Sequence, residues 1–318
     1  MNILVTPRSV TVGGHPALAR LEEAGYQIVF STPGKQPAEE ELCRLLPSCA
    51  GYLAGVEPVT SRVLQAAPNL RVISRNGTGV DNIDLQACER LDIAVCRAEG
   101  ANARGVAELT LGLLLALARD IPFSDASLKS HEWKRRQGFE VEGRTLGLVG
   151  CGKIGRLVAQ MALALGARVL AYDLYPDANF TPSAAFEHAD LDFLMRESDI
   201  ISLHCPPAPG GLPLLDRSAV SQMKRGVFLI NTARADLMDS EAVLEGLESG
   251  QVAGLALDVF AQEPPLDYRL ADHDRVIATP HVGGLTLESV SRAVGVAVEN
   301  LLHELARSKN RPGAGQGL

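Results

Sequence analysis

One stretch constrains this chain more than any other. TLGLVGCGKIG, from Thr145 to Gly155, is a short apolar run, a glycine-spaced turn and the start of a helical pattern. Glycines at 150, 152 and 155, between a strand and a helix, fit G-x-G-x-x-G. The first allows a tight turn, and the second lets backbone approach a pyrophosphate. The third allows close helix–sheet packing, while the helix N-terminus favours an anion. A second apolar run, ARVLAYD, ends at Asp173, at about the expected spacing of ~20 residues. A carboxylate there binds both ribose hydroxyls and repels a 2′-phosphate, so the sequence favours NAD over NADP. Gly150, Gly152, Lys153, Ile154, Gly155 and Asp173 are the candidate cofactor residues. Such a loop would open a cofactor domain standing alone, yet here it lies almost halfway along 318 residues.

The residues before it have their own alternation. Apolar runs occur at NILVT, QIVFS, GYLAG, RVISR and IAVCR, with helix-like stretches such as 16–23 and 60–67 between several of them. Alternating elements of this kind argue for a parallel sheet with covering helices. A long apolar helix pattern spans 106–119, followed by the polar stretch SLKSHEWKRRQGFEVEG. The loop then opens a second series of strands at 146–149, 169–172, 200–203, 227–231, 254–259 and 276–278. One more helix pattern covers 286–307, and the tail KNRPGAGQGL has a composition expected to be disordered. Two α/β units in tandem account for the position of the loop, with the last helix free to return to the first unit.

Bulk properties narrow the partners. A formal charge of −8 argues against a general affinity for nucleic acid. No apolar run reaches spanning length, the longest (109–118) being bracketed by Glu108 and Arg119, so no membrane association is expected. MNILVTP enters a strand pattern directly, so no signal peptide is expected. Cys43, Cys49, Cys88, Cys96, Cys151 and Cys205 form no Cys-x-x-Cys pair, and no histidine spacing resembles a metal site. Reduced cysteines, a cytoplasmic location and no metal are the expectation.

Three charged residues sit just beyond three late strands. Arg234 follows VFLINTA, Glu263 follows GLALDVFAQ, and His281 follows VIATP. In an open parallel sheet, ligands bind at the carboxyl ends of strands. An arginine holds a carboxylate through two parallel hydrogen bonds. A histidine moves a proton near neutral pH, and a nearby glutamate favours its charged form. With a nicotinamide, this set suits hydride transfer between a 2-hydroxy acid and a 2-oxo acid. Singly, each has a plain structural reading: a surface arginine, a turn glutamate before Pro264-Pro265, a structural histidine.

From about Gly51 to Asn300 the sequence resembles the D-isomer-specific 2-hydroxyacid dehydrogenases. NGTGVDNIDL, VAELTLGLLLALAR, GRTLGLVGCGKIGR, INTARADLMD, LALDVFAQEPP and TPHVGG carry the resemblance, in that order. It implies an NAD-dependent oxidoreductase acting on a CH–OH group, in which Arg234 binds the substrate carboxylate and 2-oxo group, His281 is the acid/base and Glu263 orients it. The implied fold is two doubly wound parallel-sheet α/β domains, a Rossmann NAD domain (99–284) inserted into a flavodoxin-like substrate domain (1–98 and 285–318), with a cleft between. It also implies Thr78, Cys205, Pro206, Thr232, Asp258, Gly283 and Gly284 around the cofactor, Arg75, Asn76 and Gly77 around the substrate, and a homodimer through roughly 99–143.

Within that family the pattern is most similar to the 3-phosphoglycerate dehydrogenase branch, through RNGTGVD (75–81) and Trp133 to Arg135. Two departures bear on the substrate. A basic Arg-Ser-x-x-Lys segment common in that branch is replaced by AGVEP, at Ala54 to Pro58, which removes expected phosphate contacts and adds Glu57. NARGVAE has Gly105 where Ser or Thr is common, and Arg104 is an extra cation near the expected cleft, a candidate reader of a distal anionic group. No regulatory domain is expected after residue 318. The alternatives are reduction of glyoxylate, hydroxypyruvate or another anionic 2-oxo acid and, from a different class, an NAD-sensing corepressor-like binding protein.

Overall fold

The structure is a computed structural model that describes residues 1–207 and 210–309. The Gly/Pro-rich tail lies outside the described residues from Asn310 onward. The chain forms two compact units, one from Met1–Asn102 with Thr286–Leu318 and one from Ala103–Leu285.

The first unit has five strands: β1 Asn2–Val5, β2 Gln27–Phe30, β3 Cys49–Ala54, β4 Val72–Arg75 and β5 Ala94–Arg97. They form one parallel sheet in the order β2-β1-β3-β4-β5. Every residue of β3 is buried, as a central strand covered on both faces requires. On one face Leu42, Leu46, Val63, Leu64 and Ala87 cover it. On the other, Val294, Ala297, Val298, Leu301 and Leu305 of the helix Leu287–Lys309 pack on Ile3, Val5, Leu53 and Val72. The final helix therefore belongs to the first unit. Strand order reverses between β1 and β3, which makes their carboxyl ends the switch point of this sheet.

The second unit has seven: β6 Thr145–Val149, β7 Arg168–Tyr172, β8 Phe186–His188, β9 Ile200–Leu203, β10 Val227–Asn231, β11 Val252–Leu257 and β12 Val276–Ala278. Their order is β12-β11-β10-β9-β6-β7-β8, parallel throughout. Leu113, Leu114 and Leu117 of the helix Ala103–Ala118, with Val158, Ala159 and Ala162 of the helix Lys153–Ala164, cover one face. Leu194, Val220, Val243 and Leu247 cover the other. Aspartates start three of the helices on that second face: Asp190, Asp216 and Asp239 accept from the amides of Phe193, Ala219 and Ala242. The switch point here lies between β6 and β9.

Among the described residues, β8, the helix Arg8–Gly13 and the helix Ile121–Lys129 are elements without a counterpart in the sequence pattern. β11 starts and ends two residues before the sequence-based span, so Asp258 is the first residue beyond it.

Candidate active site

The glycine loop is built by close approach. Gly150 has φ +100°, and a Cβ there would lie 2.6 Å from the His204 carbonyl carbon. The ends of β6 and β9 therefore meet backbone to backbone, with His204 N donating to Val149 O at 2.7 Å. A Cβ on Gly155 would fall 2.1 Å from Gly150 O, so the first turn of the helix seats directly on the loop. Gly152 is different: a Cβ there would meet nothing within 4 Å. Its missing side chain leaves open space at a helix N-terminus that no side chain caps.

At the end of β7, Asp173 braces the same loop. Its Oδ2 accepts from Cys151 N at 2.7 Å and its Oδ1 from Tyr175 N at 2.9 Å. A carboxylate has about four lone-pair positions, so acceptor capacity remains for ribose hydroxyls. An uncapped helix end, open space at Gly152 and a carboxylate beside them fit a dinucleotide with a free ribose 2′-hydroxyl. The chain's own contacts already use part of the Asp173 carboxylate. The Cys151 thiol beneath the loop is pushed up to about 11 by burial, which keeps it un-ionised at neutral pH.

His204 closes the switch point, followed by Cys205 and Pro206. Its Nε2 lies 2.9 Å from Ser202 Oγ, and Nδ1 is sealed with no partner among the described residues. Burial pushes the imidazole down to about 4, so it is neutral at pH 7.

The loops after β10, β11 and β12 are tied together. Buried Asn231 donates to Arg234 O at 2.8 Å and accepts from Ala233 N at 3.0 Å, which fixes the backbone carrying Arg234. Arg234 Nη1 donates to Ala233 O at 2.7 Å. Thr232 Oγ1 lies 3.0 Å from Thr110 Oγ1, linking this loop to the helix Ala103–Ala118. Asp258 is 1% exposed and accepts three hydrogen bonds, from Thr279 Oγ1 (2.6 Å), Val282 N (2.8 Å) and Gly283 N (2.8 Å). It holds the turn that carries His281 in the left-handed region, at φ +53°; Gly284 follows in that turn.

In that turn His281 Nδ1 lies 2.9 and 2.8 Å from the two oxygens of Glu263. Glu263 also accepts from Phe260 N at 3.2 Å. The histidine is thus oriented by a carboxylate that is itself held by backbone. Its Nε2 has no partner among the described residues. Asn231, Thr110 and Thr279 support this arrangement without having stood out in the sequence; Asn231 and Thr279 carried one signal, a polar residue ending an apolar run, and Thr110 lies within its helix.

Arg104 lies on an exposed part of its helix, with Nε 2.5 Å from Glu108 Oε1.

In the first unit, Arg75, Asn76, Gly77 and Thr78 follow β4. Arg75 Nη1 donates to Asn76 O at 2.6 Å, and a Cβ on Gly77 would collide with that guanidinium. Thr78 Oγ1 donates to Asn102 Oδ1 at 3.1 Å. Glu57 is 1% exposed at this unit's switch point. Its Oε1 accepts from Thr6 Oγ1, from Tyr52 Oη at 2.5 Å and from Gly55 N at 2.8 Å. Burial, then the Glu57 charge, holds the Tyr52 phenol well above its usual range. The carboxylate that departs from the expected basic segment is therefore built into the loop rather than presented at its surface.

Among the described residues no group of three or more His, Cys, Asp or Glu is placed to hold a metal ion. No helix among them is long and apolar enough to cross a membrane.

Comparison with known proteins bears on this geometry. The family profile described as D-isomer specific 2-hydroxyacid dehydrogenase, NAD binding domain, matches residues 111–283. A D-3-phosphoglycerate dehydrogenase of Rattus norvegicus is 40% identical over 275 residues, 86% of this chain and 51% of the relative. A hydroxypyruvate reductase of Thermotoga maritima is 41% identical over 274 residues, 84% of this chain and 88% of the relative. The chain spans about half the length of the phosphoglycerate dehydrogenases it matches. Among solved structures, the TT0316 protein from Thermus thermophilus superposes with TM-score 0.85 at 37% identity, over 96% of this chain and 97% of that one. Apo D-lactate dehydrogenase from Escherichia coli gives 0.81 at 29% identity, over 98% and 99%.

Proposed function

The chain belongs to the D-isomer specific 2-hydroxyacid dehydrogenases, and on that premise we propose that it interconverts a D-2-hydroxy acid and its 2-oxo acid with NAD, using Arg234, Glu263 and His281. The observation that carries the reading is the contact of His281 Nδ1 with both oxygens of Glu263, at 2.9 and 2.8 Å. A carboxylate at Nδ1 selects the tautomer in which Nδ1 bears its proton and leaves Nε2 as the atom that exchanges one with substrate. Bound nicotinamide supplies or accepts the hydride. In the reducing direction His281 donates a proton from Nε2 as the 2-oxo oxygen becomes a hydroxyl, and in the other direction it takes that proton back. Arg234 grips the substrate carboxylate with two parallel hydrogen bonds, from a backbone that Asn231 holds in place.

Around the cofactor we place Gly150, Gly152, Lys153, Ile154, Gly155, Asp173, Cys205, Pro206, Thr232, Asp258, Gly283 and Gly284, with Thr78 from the first unit. Asp258 acts mainly by bracing the His281 turn. Residues 99–284 serve as the NAD domain, and 1–98 with 285–318 as the substrate domain, where Arg75, Asn76 and Gly77 meet the substrate. The substrate is a small anionic 2-oxo or 2-hydroxy acid, with 3-phosphoglycerate, glyoxylate and hydroxypyruvate as the leading choices. Arg104 reads a distal anion in competition with Glu108. The protein works in the cytoplasm as a homodimer through 99–143, a segment in which Trp133 is 81% exposed.

Oxidation of NADH with a panel of glyoxylate, hydroxypyruvate and phosphohydroxypyruvate tests the reading. Turnover of at least one is expected. NADH binding without turnover of any 2-oxo acid would favour an NAD-sensing binding protein instead.

A further inference from the structure

The carboxyl ends of the β6–β12 sheet carry the residues described above, and its amino ends carry a second recess. A cavity of about 240 Å³ opens there, lined by Phe139, Arg144, Asp199, Lys224, Arg225 and Phe228 among others. It spans three neighbouring strands: Arg144 precedes β6, Asp199 precedes β9, and Lys224 and Arg225 lie just before β10. Three cations thus face one acid.

That acid is already engaged. Asp199 Oδ2 accepts from Thr145 N at 2.9 Å, and its Oδ1 lies 3.1 Å from Lys224 Nζ. Arg144 and Arg225 have no carboxylate partner among the described residues. The Arg144 guanidinium sits 5.5 Å from the Phe139 ring centroid. Arg225 gives one donor to Ser249 O at 2.9 Å, which leaves its other N–H groups for a ligand. Phe139 and Phe228 stand against each other at 4.6 Å between centroids and form an apolar wall. Elsewhere on the surface, Arg62, Arg156, Arg168, Arg217 and Arg269 each pair with a carboxylate. In a chain of net charge −8, two unneutralised guanidinium groups sharing one recess make a local positive field. The guanidinium fork matches phosphate oxygens, and a wall beside it accommodates a small organic body.

We propose that this recess binds a small phosphate-bearing molecule, with Arg144 and Arg225 on the phosphate and Phe139 and Phe228 against its remainder. It is distinct from the dinucleotide cradle, because β6 runs between them for five residues, about 13 Å. The inference does not depend on the proposed reaction.

Calorimetric titration of the NADH-saturated protein with inorganic phosphate, at fixed ionic strength, tests it. Saturating NADH removes the glycine loop as a competing anion site. We expect one saturable event, weakened about tenfold or more in Arg144→Gln and again in Arg225→Gln. Both residues are exposed, so both variants are expected to fold, and NADH affinity should be unchanged in each. Heat that does not saturate, or binding of equal strength in both variants and the wild type, would overturn the proposal. So would phosphate binding seen only when NADH is absent.

Discussion

At the scale of single residues, His204 shows how burial sets a protonation state. Its folded-state value near 4 lies below the ordinary 6.5, so between those values the unfolded chain binds the extra proton. Stability from this group is therefore complete above pH 6.5 and lost as pH falls toward 4, by at most about 3 kcal/mol. Urea unfolding at pH 7.5 and 4.5 should show a smaller loss in His204→Asn than in the wild type; equal losses would remove His204 as the cause. Arg104 offers a sharper choice. Its exposed pair with Glu108 is of a type worth little, so a substrate anion can compete for the guanidinium. Arg104→Ala should lower kcat/KM for phosphohydroxypyruvate about tenfold or more and spare glyoxylate. An equal effect on both would assign the residue to its helix alone. Glu57 and Asp258 mark the limit of reading residues in sequence. Glu57 reads there as an acid added to a ligand-facing loop, yet it is sealed by Thr6, Tyr52 and Gly55. The donors to Asp258 lie more than 20 residues away, and no local pattern announces such partners.

At the scale of elements, the glycine turn separates folding from binding within three residues. Gly150→Ala forces a Cβ into the His204 backbone at φ +100°, and should cost about 3 kcal/mol or more in stability. Gly152→Ala meets open space, so stability should move by less than about 1 kcal/mol. The added methyl should nonetheless weaken NADH binding about tenfold, or 1.4 kcal/mol. Thermal unfolding and NADH titration of the two variants check this, and matched behaviour would contradict it. Most strands were legible because central parallel strands are apolar on both faces, as in Leu146, Leu148 and Val149. β8 was not, since it is a three-residue edge strand carrying Glu187. The helix Ile121–Lys129 hid behind Pro122 and a polar composition, although proline is at home in a first turn. In Arg8–Gly13, two valines and a threonine weaken the local helical preference, and the helix rests on burial of Val10 and Thr11.

At the scale of the molecule, the sequence showed two alternating series and a loop between them, but strand order is a property of the folded chain. The orders β2-β1-β3-β4-β5 and β12-β11-β10-β9-β6-β7-β8 emerge only when the strands pair. In the second sheet the long crossover after β8 returns the chain beside β6, which creates the switch point where the glycine loop sits. The exposed apolar surface around 99–143 belongs to this scale too, and light scattering should give a mass twice that of one chain; a monomer would contradict the proposed dimer. Chemistry is the last property to emerge, because Arg234, Glu263 and His281 come from three separate strand ends. Single-turnover oxidation of enzyme-bound NADH by a saturating 2-oxo acid, in wild type and His281→Ala, tests this most directly. A loss of roughly 10²–10⁴-fold in rate with NADH affinity unchanged is expected, and a near-normal rate in the variant would contradict the role of His281.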